Sequence, residues 1–142
     1  ILNHVLVTLF NQILNIEEKA LRKGPYENLT INELHVIDAI GIDQAHPMSV
    51  VASKLDVTVG TLTIAMNNLV KKGYATRVRS EEDRRVVLVG LTETGKGAFD
   101  HHRRFHEEMI TYTVSTLNEK ESDVLAESLT KIIEYFNDKY LD

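Results

Sequence analysis

The chain has 142 residues, 43% of them hydrophobic and 26% charged, with a net charge of −5 and no cysteine. That size suits one domain (1–142) with a composition typical of folded globular chains, and the missing cysteine excludes disulfides, thiolate nucleophiles and thiolate zinc sites. No apolar run reaches the roughly 20 residues that cross a bilayer, which predicts a soluble, cytoplasmic protein without a membrane partner.

Val5, Leu9, Ile13, Ile16 and Ala20 recur at helical spacing and predict a first long helix ending near Gly24-Pro25. Thr30 and Glu33 form a capping box for a second helix, which Gly41 stops. After His46-Pro47, Ser49 to Leu55 reads as a short helix, and Thr58 caps another that runs to Lys72 and closes at Gly73. Only Asp56 and Val57 separate the two, which is the spacing of a helix-turn-helix.

Tyr74 to Arg79 and Val86 to Leu91 are rich in β-branched residues and flank the polar run Ser80-Glu81-Glu82-Asp83-Arg84-Arg85, predicting a hairpin with a charged tip. Thr92 caps a long helix through Ala98, Phe99, Phe105, Met109 and Tyr112 to about Leu117. Asn118 and Glu121 form a second capping box, before a last amphipathic helix carrying Val124, Leu125, Leu129, Ile132, Ile133 and Phe136. The expected fold is therefore mainly α with a small β-hairpin wing: a winged helix-turn-helix between long terminal helices.

The acidic net charge is unevenly spread. Between Met48 and Leu91 seven Lys/Arg meet four acids, a net +3, while the remainder carries −8. The basic island coincides with the helix-turn-helix and hairpin, so the pattern points to a DNA surface: a helix reading base edges in the major groove and an Arg-tipped hairpin entering the minor groove.

The runs Leu55-Asp56-Val57-Thr58, Thr61-Leu62-Thr63, Leu69-Val70-Lys71-Lys72-Gly73-Tyr74, Ser80-Glu81-Glu82-Asp83-Arg84-Arg85-Val86 and Leu91-Thr92-Glu93-Thr94-Gly95 resemble the signature of the MarR family over nearly the whole chain. The resemblance implies a homodimeric repressor with its winged helix-turn-helix lobe at 30–91 and dimerisation helices at 1–20 and 105–142, reading an inverted repeat. The broad stripe Leu125, Leu129, Ile132, Ile133, Phe136 and Tyr140 agrees with such a dimer. The implied reading face is Thr58, Gly60, Thr61, Ile64 and Asn68, with Lys71 one turn later and Ser49 on the preceding helix. Asn bonds adenine, Gly60 permits close backbone approach, and Ile64, where many relatives carry Arg, suits a thymine methyl, which predicts an A·T-rich site. In the wing, Arg84 is the expected minor-groove residue, with Asp83 pairing either Arg85 or Arg79 to shape the tip. Thr58 is also a plain N-cap, and Lys71 and Lys72 also suit a helix carboxyl end, so neither feature is diagnostic alone.

Among family members, Glu33 to Asp38, Val57 to Thr61 and Tyr74 to Val87 most resemble the repressors of bacterial fatty-acid-synthesis genes. That implies a long-chain acyl-acyl carrier protein as corepressor and no resident cofactor. Candidate effector-pocket residues are Leu9, Ile13, Ile16, Leu34, Ile37, Phe99, Phe105 and Met109, all equally suited to a core. Arg22, Lys23, Arg103 and Arg104 are candidate docking bases for the acidic carrier, or ordinary surface. The alternative effector is zinc, held as in zinc-sensing relatives by His35, His102 and His106 with Glu17 or Glu18. The chain lacks GxSxG, HExxH and a phosphate loop, so no catalytic residues are expected. A winged helix that contacts proteins instead of DNA is the remaining competitor, favoured if the hairpin arginines are buried.

Overall fold

A computed structural model describes residues 1–141. Its elements are α1 (Leu2–Lys23), α2 (Ile31–Ile40), β1 (His46–Pro47), α3 (Met48–Leu55), α4 (Val59–Lys72), β2 (Ala75–Arg79), β3 (Val87–Leu91), α5 (Glu93–Ser115) and α6 (Glu119–Tyr140). The chain divides into two compact units, Ile1–Arg103 and Arg104–Asp142. Asp142, the last residue of the expected dimerisation segment, lies outside the described residues.

In the first unit the helix boundaries follow local chemistry. Thr30 and Glu33 close the capping box of α2, and Thr58 accepts the Thr61 N–H to start α4. Both helices end on glycines in positive φ, Gly41 at 75° and Gly73 at 86°, conformations a β-carbon would strain. The turn between α3 and α4 is tighter still. Asp56 takes the left-handed conformation (φ 54°, ψ 46°), its N–H bonds the carbonyls of Ala52 and Ser53, and the two helices meet at 105°. That angle lies in the helix-turn-helix range.

The core of the first unit is drawn mainly from α2, α3 and α4, with Leu21 of α1, Ala75 of β2, Val89 of β3 and Ala98 of α5. Leu62, Met66 and Leu69 recur at four and three residues along α4 and are fully buried, as are Ile37 and Ile40 of α2, Val51 of α3, Leu29 and Val89. Burying each such side chain contributes roughly 1.5–3 kcal/mol relative to exposure. The sheet is antiparallel in the order β1-β3-β2, with Val89 at its centre facing His46 on one side and Arg77 on the other. The sequence pattern missed β1: two residues carry no periodicity, and Pro47 lacks a ladder donor.

Helix α5 enters the lobe over Tyr74. Thr92 Oγ donates to the Gly73 carbonyl (2.6 Å) and accepts the Gly95 N–H (3.1 Å), which ties the start of α5 to the end of α4. A β-carbon at Gly95 would collide with the Tyr74 carbonyl, and one at Gly97 would meet the Tyr26 hydroxyl at 2.5 Å. Tyr26 packs edge-on between Tyr74 and His101. The two glycines are thus spacers that let α5 lie close to the lobe.

In the second unit, Asn118 and Glu121 form the capping box expected for α6, but no residue of that helix is buried. Val124, Leu125, Leu129, Ile132, Ile133 and Phe136 are all exposed, and Tyr135, Phe136 and Tyr140 touch one another with ring centroids 6.1–6.3 Å apart. In the first unit, Leu2, Val5, Leu9, Phe10 and Leu14 of α1 are likewise exposed. No single helix among the described residues is long and apolar enough to cross a membrane.

Candidate nucleic-acid interface

The inward spacing of Leu62, Met66 and Leu69 turns the other face of α4 to solvent. Ile64 is 68% exposed, a large apolar side chain held in water at the centre of that face, with Gly60, Thr61, Asn68 and Lys71 also exposed. At its start, Thr58 Oγ accepts the Thr61 N–H (3.1 Å) and donates to Thr61 Oγ (3.0 Å). The cap therefore also orients the Thr61 hydroxyl. At Gly60 the nearest obstacle to a β-carbon is Thr58 Oγ at 3.8 Å, so nothing inside the protein requires glycine there.

The wing carries its arginines outward. Arg79 donates to the Arg84 carbonyl (2.9 Å), bracing the tip. Asp83 accepts from Arg85 through Nε, Nη and the backbone N–H, each at 3.1 Å, so the carboxylate's side-chain partner is Arg85 and not Arg79. The Arg85 guanidinium and backbone N–H hold the Asp83 carboxyl below its ordinary pKa. Arg85 is 91% exposed, and the exposed Arg84 guanidinium has no hydrogen-bond or ion-pair partner among the described residues. Burial of the hairpin arginines, the condition for the protein-contacting reading, is absent.

Two grooves flank α4. One, of about 630 Å³, runs toward the wing and is lined by Ser49, Val59, Thr63, Arg77 and Arg85. The other, of about 480 Å³, lies between α2 and α4 and brings Thr61, Ile64 and Asn68 together with Asn32 and His35. Arg77 also donates to Asn67 Oδ1 across 2.7 Å, fastening β2 to the reading helix. Sequence reasoning counted Arg77 only as charge and passed over Asn67, because a pair ten residues apart on different elements leaves no periodic signal.

The far end of α4 is clamped. Lys72 Nζ donates to Glu33 Oε1 (2.7 Å) and to the Asn28 carbonyl (2.6 Å), while the Tyr74 hydroxyl donates to Asn28 Oδ1 (2.6 Å). Glu33 is almost fully buried and also accepts the Thr30 N–H. Burial pushes the Tyr74 hydroxyl above its ordinary pKa. Lys72 is thus a structural lysine, and Lys71 beside it points outward.

The other expected residues fall elsewhere. Leu34 and Ile37 are core residues and Phe99 packs against the core, whereas Leu9 and Ile16 are exposed on α1 and Ile13 is half-buried. Phe105 and Met109, half-buried, belong to the second unit. Arg22 is engaged by Glu18 (2.8 Å) and the carbonyls of Glu27 and Leu29, fixing the turn after α1, and Arg103 pairs with Asp100. Lys23 and Arg104 are exposed. Of the residues named for the zinc alternative, His102 and Glu17 come together and His35 stands apart from them. His35 is exposed and opens onto the groove beside α4, whereas buried His102 faces Asp38 at 3.2 Å and Glu17 at 3.8 Å.

A 105° helix-turn-helix, an outward-facing second helix and an arginine-tipped three-stranded wing define a winged helix DNA-binding transcriptional regulator. A family described as the transcriptional regulators SarA/Rot matches residues 23–102. The HTH-type transcriptional regulator YpoP of Bacillus subtilis is 30% identical over 108 residues, covering 76% of this chain and 72% of YpoP. Streptococcus pneumoniae FabT, solved in complex with DNA, is 40% identical with a TM-score of 0.92, covering 96% of each chain. The S. aureus MepR–DNA complex shares the fold, with a TM-score of 0.77 at 20% identity over 96% of this chain and 98% of MepR. The chain belongs to the SarA/Rot transcriptional regulator family, within the MarR-type winged helix proteins, and is not an enzyme.

Proposed function

We propose that the protein is a homodimeric, cytoplasmic repressor of fatty-acid-synthesis genes, binding an A·T-rich inverted repeat more tightly when a long-chain acyl-acyl carrier protein is present. The observation that carries the reading is the 40% identity to FabT over 96% of the chain. Thr58, Gly60, Thr61, Ile64 and Asn68 read the major groove and Arg84 enters the minor groove, while Ser49, Lys71, Arg79, Asp83 and Arg85 hold phosphates or shape the wing.

One reading helix contacts too little DNA for useful selectivity, so a two-fold pair is the expected state. The uncovered stripes on α1 and α6 supply the apolar area for it. Leu9, Ile13, Ile16, Leu34, Ile37, Phe99, Phe105 and Met109 are the proposed acyl-chain residues. At about 0.8 kcal/mol per buried methylene, a long chain readily supplies a coupling of a few kcal/mol. Arg22, Lys23, Arg103 and Arg104 are the proposed docking bases for the acidic carrier.

The test is an operator titration by fluorescence anisotropy on purified protein, alone, with acyl-acyl carrier protein and with unacylated carrier. Tighter binding with the acylated carrier alone supports the proposal. Operator binding indifferent to it would leave the DNA-binding regulator and remove the fatty-acid assignment.

A further inference from the structure

A helix lying in the major groove of B-DNA has a phosphate strand on each side of it. The reading helix here has a groove on each side, and the wing-side one is suited to a phosphate strand. Ser49, Thr63, Arg77 and Arg85 line it, and no acid does. The opposite groove, between α2 and α4, has no role assigned to it as a whole beyond the reading residues of its α4 wall. Its mouth carries Asn32 and His35, both exposed and without hydrogen-bond partners among the described residues. Both side chains supply N–H donors.

Thr61, Ile64 and Asn68 form the α4 wall of this groove, so it is continuous with the reading face. Its one acid, Glu33, is buried, ion-paired with Lys72 at 2.7 Å and hydrogen-bonded by the Thr30 N–H, which offsets the repulsion a phosphate would otherwise meet. The floor, including Val36, Leu62 and Ala65, is apolar and suits the faces of deoxyribose rings.

Building on the DNA-binding reading above, we propose that the α2–α4 groove seats the sugar-phosphate backbone of the strand bordering the major groove on the side away from the wing, with Asn32 and His35 donating to its phosphates. These contacts position the lobe and carry no sequence information, because phosphates are common to all sites.

The test uses a duplex selected by the wild-type protein from a randomised library, a random-sequence duplex of equal length, and phosphate-ethylation interference on each strand. Asn32→Ala and His35→Ala each weaken binding about three- to tenfold on both duplexes, the value of one lost hydrogen bond. Base preference and the thermal unfolding midpoint stay unchanged, and interference disappears from phosphates on the strand away from the wing. His35→Gln, which keeps a donor, recovers part of the affinity. Variants that bind both duplexes like wild type overturn the proposal and leave the DNA-binding reading intact, whereas a wild-type protein that selects no duplex overturns both. Unchanged DNA affinity with loss of the dimer in sedimentation assigns the groove to a second copy of the chain instead.

Discussion

Replacing Gly60 with alanine separates what the fold needs from what the DNA contact needs. The added β-carbon meets nothing closer than Thr58 Oγ at 3.8 Å, an ordinary contact, and Gly60 lies in the first turn of α4. Alanine in a helix is favoured over glycine, here by about 0.4–1 kcal/mol, which raises the unfolding midpoint by roughly 2–6 °C. If the backbone at Gly60 approaches the DNA closely, the new methyl holds the helix away from it. Losing one backbone hydrogen bond there, about 1–1.5 kcal/mol, weakens operator binding roughly five- to tenfold. Thermal denaturation and anisotropy titration at one fixed salt concentration read the two effects on a single preparation. A variant that gains stability and binds the operator within twofold of wild type refutes the close approach, and one that loses stability refutes the open space around Gly60.

Three further outcomes follow from the geometry. Arg84→Ala leaves stability unchanged because the guanidinium is unpartnered, but weakens operator binding and lowers the slope of log affinity against log salt by about one; an unaltered slope would place Arg84 off the DNA. Gly95→Ala drives a β-carbon into the Tyr74 carbonyl and destabilises the lobe by about 3 kcal/mol, the upper end for overpacking, read as a lowered urea midpoint. The Asp83 carboxyl titrates below its ordinary 3.8 because Arg85 bonds the charged form, so its contribution to wing order is complete above pH 3.8 and is lost as pH falls further. A carbon-detected NMR titration should find that depression in the wild type and its disappearance in Arg85→Ala.

Those features legible in the sequence were the ones encoded within a few residues. Thr30 with Glu33, Asn118 with Glu121, Thr58 and Gly73 each announced a helix end through a side chain three residues away or a glycine in positive φ, and each stands where its chemistry requires. The reading face of α4 followed because its buried positions, Leu62, Met66 and Leu69, left the remaining faces outward. What stayed hidden depends on residues far apart in the chain. Lys72 looked like a free base at a helix end until Asn28 and Glu33 were seen to hold it, and nothing near Gly95 hints that Tyr74 would sit against it. The sequence cannot distinguish the expected effector residues from core, since a buried position such as Ile37 and a pocket position share one hydrophobic pattern.

The clamp at Lys72 has a mechanical consequence. With its carboxyl end bonded to α2 and to the turn after α1, and its middle fastened to β2 through Arg77 and Asn67, the reading helix has no independent axis about which to pivot. The lobe behaves as a rigid stamp with a fixed imprint. In the proposed dimer, a signal that changed the fit to an operator would act by relocating or tilting the whole stamp, through the span between the two copies.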